Sequence, residues 1–314
     1  MARKKKIDEN SVIRTGRKKS WDDRLFEIIV YTILIVMFLF FLYPIWYVLI
    51  ASFSDPDAVY TGKVVLFPIG FNADSYGRVF RNKDIWIGYG NTIFYTVLGT
   101  VCNVLATIML AYGVSRRDLK GRQFILTLFI VTMYFSGGMI PAYLNMKSLG
   151  LVNTRLYMII SGLVGPTNII ICRTYFSNSI PWELQEAAFI DGASDWYVFR
   201  KIVMPLSRAI MAVMSITYAV GHWNAYFNAM VYLKDSNKFP LQVFLRDILI
   251  KSNMASMLLD DTDPEFLAAL AAAEKLANQM KFSVIVVAVV PLLCIYPFVE
   301  KYFDKGFMIG GVKG

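Results

Sequence analysis

The sequence predicts an all-α polytopic membrane protein with six transmembrane helices. Two observations carry this expectation. The 314-residue chain is 56% hydrophobic and only 18% charged, with a mean hydropathy of +0.49, too few charges to clothe a soluble surface. Its apolar residues are also gathered into six uncharged runs: Ile28–Ser54, Ile85–Ser115, Gln123–Met146, Leu156–Cys172, Ala209–Leu233 and Phe282–Val299.

A helix needs about 20 apolar residues to cross the hydrocarbon core, with a usable range of about 17–25. The runs therefore predict spans over 26–51, 87–113, 123–146, 155–174, 208–233 and 281–301. The fourth is the shortest, and Arg155 and Arg173 flank it where they can snorkel outward. In the third, Tyr134-Phe135-Ser136-Gly137-Gly138 with Pro141 reads as a broken span, tolerated only where backbone is buried or lines a cavity.

Orientation follows from the basic residues. Nine of the 32 Lys and Arg lie in the polar tail Met1–Arg24 and four in the short loop Arg116–Arg122, which places both on the cytoplasmic side. Both chain termini are then cytoplasmic, and 25–303 forms the membrane domain. Residues 176–207 become a long cytoplasmic loop, 55–84 and 234–280 external loops, and 304–314 a cytoplasmic tail. In 55–84, Pro56, Gly62, Pro68 and Gly70 read as turns, while Asp263-Pro264-Glu265 reads as a helix start leading through Ala268–Ala277. The net charge of +9 sits beside apolar spans, so lipid rather than nucleic acid accounts for it. Cys102, Cys172 and Cys294 have no paired spacing and read as small buried hydrophobes, and no metal-binding cluster is present.

The spans exclude some chemistry. They hold no Asp, Glu, Lys or Arg, which ion-coupled transporters place at depth, and their one histidine, His222, reads as packed or hydrogen-bonded. The phosphate-cradling pattern G-x-x-x-x-G-K-[ST] does not occur, nor do G-x-S-x-G or H-E-x-x-H. The chain is expected to be a transporter component without an ATPase site, not an enzyme.

The loop 176–207 is the most informative stretch. Pro181 and Glu183 fit a helix start, Ala187 and Ala188 its body, and Gly192 its left-handed end. Ser194 caps a second helix that Pro205 stops, and Trp196, Phe199 and Ile202 recur on one face. An ordered loop with a sticky face either lies on the inner leaflet or meets a partner. The string Glu186-Ala187-Ala188, three residues, Asp191-Gly192-Ala193, then Phe199-x-x-Ile202-x-x-Pro205 resembles the EAA motif of bacterial binding-protein-dependent ABC importer permeases. Asn91-Thr92-Ile93 with Gly99, Ala111-Tyr112 before Ser115-Arg116, Trp223-Asn224, and the tail Tyr296-Pro297-Phe298 through Gly314 strengthen the resemblance. It is similar to the second permease subunit of maltose-type carbohydrate importers, over about Asp22–Gly314. Arg208-Ala209 departs from the pattern, where many relatives continue with Pro.

The resemblance implies the type I ABC importer permease fold in a bacterial cytoplasmic membrane. It implies a heterodimer with a homologous permease subunit, two ATPase subunits that carry ATP and Mg, an extracellular solute-binding protein, and a carbohydrate substrate. No cofactor belongs to this chain. Glu186 would pair with an arginine in the ATPase groove, Gly192 would set the bend, and Ala187, Ala188 and Ala193 would allow close approach. Phe199, Ile202 and Pro205 would support the loop. Gly306, Gly310, Gly311, Lys313 and Gly314 would insert between the ATPases. Along the fifth run, Thr217, Gly221, Asn224 and Asn228 fall on one face, with Trp223 and Tyr226 beside them. With Tyr134, they either line the sugar path or pack helices. A peptide, polyamine or glycerol phosphate importer of the same build, or a secondary transporter, remains open at this level.

Overall fold

The computed structural model describes residues 20–255 and 280–294. The predicted external helix at 263–277, the end of the last span and the glycine-rich tail fall outside them.

Among the described residues, two helices are long and apolar enough to cross a membrane: α1 (Trp21–Ser52) and α4 (Lys83–Ser115). Helix α1 starts at a Ser20 capping box with Asp23 and buries only Ile50, Ala51 and Ser52. Tyr47 packs edge-on against Phe282 and Trp46 Nε1 donates to Leu66 O, and most of the helix before them is exposed among the described residues. Its C-terminal end is held by a hydroxyl cluster in which Ser52 meets Tyr76 at 2.7 Å and Ser75 meets Ser283 at 2.6 Å. The segment 55–84 holds helices as well as turns. It contains α2 (Pro56–Tyr60), started by the Asp55 side chain, and α3 (Asp74–Arg81).

Helix α4 is the axle of the fold. Its 33 residues run roughly 50 Å at 1.5 Å per residue, longer than the hydrocarbon core. It buries a stripe that includes Gly88, Asn91, Thr92, Gly99, Asn103, Thr107, Ala111 and Tyr112. Small and polar residues along such a stripe let backbones approach and replace hydrophobic attraction, which is weak between helices in lipid.

The third span is broken as expected: α5 (Arg122–Tyr134) and α6 (Met139–Ser148) meet at 118°, with Gly138 at φ 85 in the break. The fourth and fifth spans differ from expectation. In place of one helix over 155–174 there are α7 (Arg155–Ile160) and α8 (Pro166–Ser179). Gly162 at φ 67 and the first-turn Pro166 separate them, since neither fits a helix interior. In place of one helix over 208–233 there are α12 (Arg208–Trp223) and α13 (Phe227–Tyr232). Within the segment that reads as polar from Lys234 lies α14 (Leu241–Ala255), whose Leu241 and Leu245 pack with Val79, Ile85 and Val284. The last described helix, α15, is Met280–Cys294.

The sequence-noted Asn91-Thr92 pair has a structural use. Asn91 Nδ2 donates to Asn237 O and Phe239 O at 2.8 and 3.0 Å, Tyr95 Oη donates to Lys238 O at 2.9 Å, and Thr92 Oγ1 accepts from Leu241 N at 2.8 Å. Together they bind the turn after the fifth span to the axle. Of the cysteines, Cys172 is buried as expected, but Cys102 and Cys294 are exposed on the surface of this chain.

Candidate docking surface and translocation cavity

The loop between α8 and α12 folds into α9 (Trp182–Ile190) and α10 (Asp195–Val198), then a π turn over Phe199–Val203 and α11 (Met204–Leu206). Pro181 is the residue before α9 rather than its first turn. Helix α9 ends in a Schellman arrangement: Ala193 N donates to Ala188 O at 2.9 Å and Gly192 N to Phe189 O at 3.0 Å, with Gly192 at φ 82. Ser194 Oγ then accepts from Tyr197 N at 3.3 Å and starts α10. Pro205 lacks the N–H its turn would use and crowds the carbonyl four residues back, which accounts for the wider turn before it. The chain bends by 80° between Asp195–Leu206 and Arg208–Trp223, at Ser207 rather than at Pro205.

Packing divides the loop into an inner and an outer face. Val198, Phe199 and Val203 are buried with Ile108, Tyr112, Phe176 and Ile210 under the loop, and Ile202, Ala188, Phe189 and Ala193 are partly buried against them. Gln185 turns inward as well, and its Oε1 accepts from Tyr112 Oη at 3.1 Å. On the outside lie Glu186, Ala187, Asp191 and Pro205, all exposed. Beside them, Ile190 is 82% exposed and Trp196 59%.

Arg116, at the end of α4, clamps this unit. Its Nε donates to Asp118 Oδ1 at 2.9 Å, Nη1 pairs with Asp195, and the guanidinium lies 5.2 Å from the Phe189 ring centroid. The hydrogen bond from Arg116 holds the Asp118 carboxyl below its usual range, and that bond raises the guanidinium in turn. A depressed carboxylate stabilises the fold above its unfolded pKa, so the clamp is intact at neutral pH and loosens only as pH falls through the lowered value. Both carboxylates are largely solvated, so the net worth of the clamp is small. Arg116→Ala is expected to cost about 1 kcal/mol locally, read as roughly fivefold faster amide exchange over 193–198.

The two unpredicted helix breaks face one another beside α4. Between them is a cavity of about 240 Å³ lined by Asn103, Ser161, Asn168, Thr217, His222 and Asn228, with Gly221 on its wall. Side chains satisfy the backbone that the α7–α8 break frees. Asn103 Nδ2 donates to Gly162 O at 3.2 Å, and Gly165 N donates to Tyr218 Oη at 3.4 Å. Tyr218 is fixed by Thr107 at 2.6 Å, and Asn228 Nδ2 reaches Ser161 Oγ at 3.2 Å. Two atoms of lining residues, Asn103 Oδ1 and His222 Nε2, are buried without a hydrogen-bond partner. No carboxylate, ammonium or guanidinium lines this cavity, so its chemistry is hydrogen bonding to uncharged groups.

The predicted path residues thus separate. Thr217, Gly221 and Asn228 share the cavity. Trp223 turns away, 4% exposed, with Nε1 donating to Ala288 O at 3.3 Å and its ring against Tyr89. Asn224 ends α12 and is exposed, while Tyr226 and Tyr134 are 45% and 79% exposed and outside the cavity lining. Asn103, Asn168 and Ser161 escaped the sequence reading, although polar residues inside apolar runs were the available signal. Among the described residues, no group of three metal-ligating side chains occurs.

No protein-family model matches the sequence. Among curated proteins, the chain is 40% identical over 297 residues to the polygalacturonan/rhamnogalacturonan transport system permease protein YtcP of Bacillus subtilis, covering 93% of this chain and 99% of the relative. It is 28% identical over 278 residues to the arabinooligosaccharides transport system permease protein AraQ of Halalkalibacterium halodurans, covering 87% and 91%. Among solved structures, it matches a bacterial ABC transporter involved in import of the acidic polysaccharide alginate with a TM-score of 0.81 and 36% identity, covering 91% of this chain and 99% of that one. The chain belongs to the sugar ABC transporter permeases. As such a permease it is a multi-pass protein of the cell membrane. Its relatives are transporter subunits rather than enzymes.

Proposed function

We propose that this permease imports an oligosaccharide handed over by an extracellular binding protein, driven by ATP and Mg on two separate ATPase subunits. A second, homologous permease completes the pathway, and the chain itself binds no nucleotide. The observation that carries the energy-coupling half is the two-faced docking loop. Its inner face is anchored to α4 through Tyr112–Gln185 and Arg116, so a force on the exposed face is delivered to the axle. Glu186 is the acid that pairs with an ATPase arginine, a desolvated and directional contact. Asp191, Gly192 and Ala193 shape the bend beside it. Closure of the ATPases moves the loop, and the two permeases rock between inward- and outward-facing states. Both termini and the loop 176–207 lie in the cytoplasm, six spans cross the membrane, and Gly306, Gly310, Gly311, Lys313 and Gly314 reach between the ATPases.

The cargo assignment follows the relatives. The uncharged cavity supports it, because amide and hydroxyl groups match sugar hydroxyls. Reconstitution of the importer in proteoliposomes tests the reading. ATP hydrolysis should rise when its binding protein is loaded with oligogalacturonide or arabinooligosaccharide. Stimulation by a peptide, polyamine or glycerol phosphate in place of both would replace the cargo. Within that assay, Asn103→Ala combined with Asn228→Ala is expected to raise the apparent KM for sugar about tenfold, two lost hydrogen bonds at about 0.7 kcal/mol each. An unchanged KM would assign the cavity to helix packing alone.

A further inference from the structure

A second polar cavity is separate from the first and lies beneath the start of the docking loop, away from its exposed face. Arginines of the α4–α5 connection, of the start of α5 and of α8 converge on it: Arg117, Arg122 and Arg173 line a space of about 220 Å³, together with Ser177 and Trp182. Glu183 is the one carboxylate in the lining, so the walls carry a net positive charge. Arg173 Nε is buried and has no hydrogen-bond partner among the described residues. A buried guanidinium N–H without an acceptor is costly, and three like charges around one space repel. Both costs disappear if an anion with several acceptor oxygens occupies it.

The position indicates which anion. Arg117 follows α4, Arg122 opens α5, and Arg173 follows the apolar run Ile169–Cys172 within α8. Two residues away on the same helices, Phe124 is 68% and Ile171 45% exposed, as apolar side chains facing acyl chains would be. A basic recess beside a lipid-facing apolar surface is complementary to a headgroup whose tails remain in the bilayer. We infer that this cavity binds the phosphate of an anionic phospholipid. Trp182 and Glu183 bring the first turn of α9 into its wall, so an occupied cavity also steadies the docking helix against the membrane. The inference rests on membrane placement and not on the role of Glu186, and lipid binding is read without ATP or sugar, so the two can fail separately.

The test is native mass spectrometry of the assembled importer, taken from nanodiscs of phosphatidylcholine with or without phosphatidylglycerol. The wild type should retain phosphatidylglycerol in preference to phosphatidylcholine. Retention should fall about tenfold or more in R122Q/R173Q and stay unchanged in K120Q, a basic residue of the same loop outside the cavity. R117Q/R122Q leaves the buried Arg173 in place and should show the same loss if the first variant does not assemble. Equal retention in the arginine variants and the wild type would overturn the proposal, as would equal retention of phosphatidylcholine. Displacement of the lipid by millimolar inorganic phosphate would assign the cavity to a free anion instead. Retention that appears only after the ATPase subunits are removed would show that their side chains occupy it.

Discussion

Glu186→Arg is expected to leave the permease in the membrane and paired with its partner, yet to reduce coupled sugar uptake at least a hundredfold. Glu186 is exposed on α9, and its neighbours Gln185 and Phe189, not Glu186 itself, hold the helix to α4. Charge reversal there removes no internal contact among those described. In the proposed docking it sets two guanidinium groups opposite each other in a closed interface, where like charges cost several kcal/mol. The chain's own fold should therefore survive while ATPase binding is lost. Affinity co-purification of the ATPase subunits separates the two: the partner permease should still be recovered in the wild-type amount and the ATPase should not. Full recovery of the ATPase together with normal uptake would remove Glu186 from the interface.

Gly99→Val is expected to have an effect of comparable size by the opposite route, preventing accumulation of the folded permease. A Cβ added at Gly99 would lie 2.4 Å from both Cε1 and Nε2 of His222. Real side chains do not approach so closely, so the imidazole, 8% exposed, is driven into the cavity it lines or α4 and α12 part, at about 3 kcal/mol. Because the obstacle is one named ring, Gly99→Ala should be restored substantially by His222→Ala. The pair should be strongly non-additive when the folded fraction is measured by size-exclusion profile. Simple additivity would show that the glycine matters for a reason other than that ring.

Much of this geometry is readable from residue order. The docking loop is legible because its signals are local: Gly192 for the left-handed turn, Ser194 for the cap, and Pro205 for the disturbed turn. The third-span break is legible for the same reason, with Gly137, Gly138 and Pro141 in succession. The fourth break had comparable signals in Gly162, Gly165 and Pro166, but a hydropathy count is blind to them. The fifth had none, since Asn224-Ala225-Tyr226 holds neither Gly nor Pro, and the interruption there is a tertiary effect. That shift explains why a straight helical stripe mispairs Asn224 with Thr217 and Gly221. Trp223 looked like a sugar platform by composition, and only the position of α15 shows that its indole is committed to Ala288. Arg116 was visible as part of a motif, but its reach to Asp195, 79 residues along the chain, is set by folding alone.

The broken helices also bear on how the protein enters the bilayer. Helix α7 has six residues, and α8 carries Asn168, Arg173 and Asn178 in fourteen, so neither is a strong stop for a translocon reading apolar length. Helices α1 and α4 are strong stops on their own. Biosynthesis should therefore commit α1 and α4 first and hold residues 155–232 in reserve until α4 offers Asn103 and Thr107 as partners. In nascent chains truncated after Ser179, residues 155–179 should then be open to added protease when Asn103 is replaced by Leu and protected when it is not, while α1 and α4 hold both chains in the membrane.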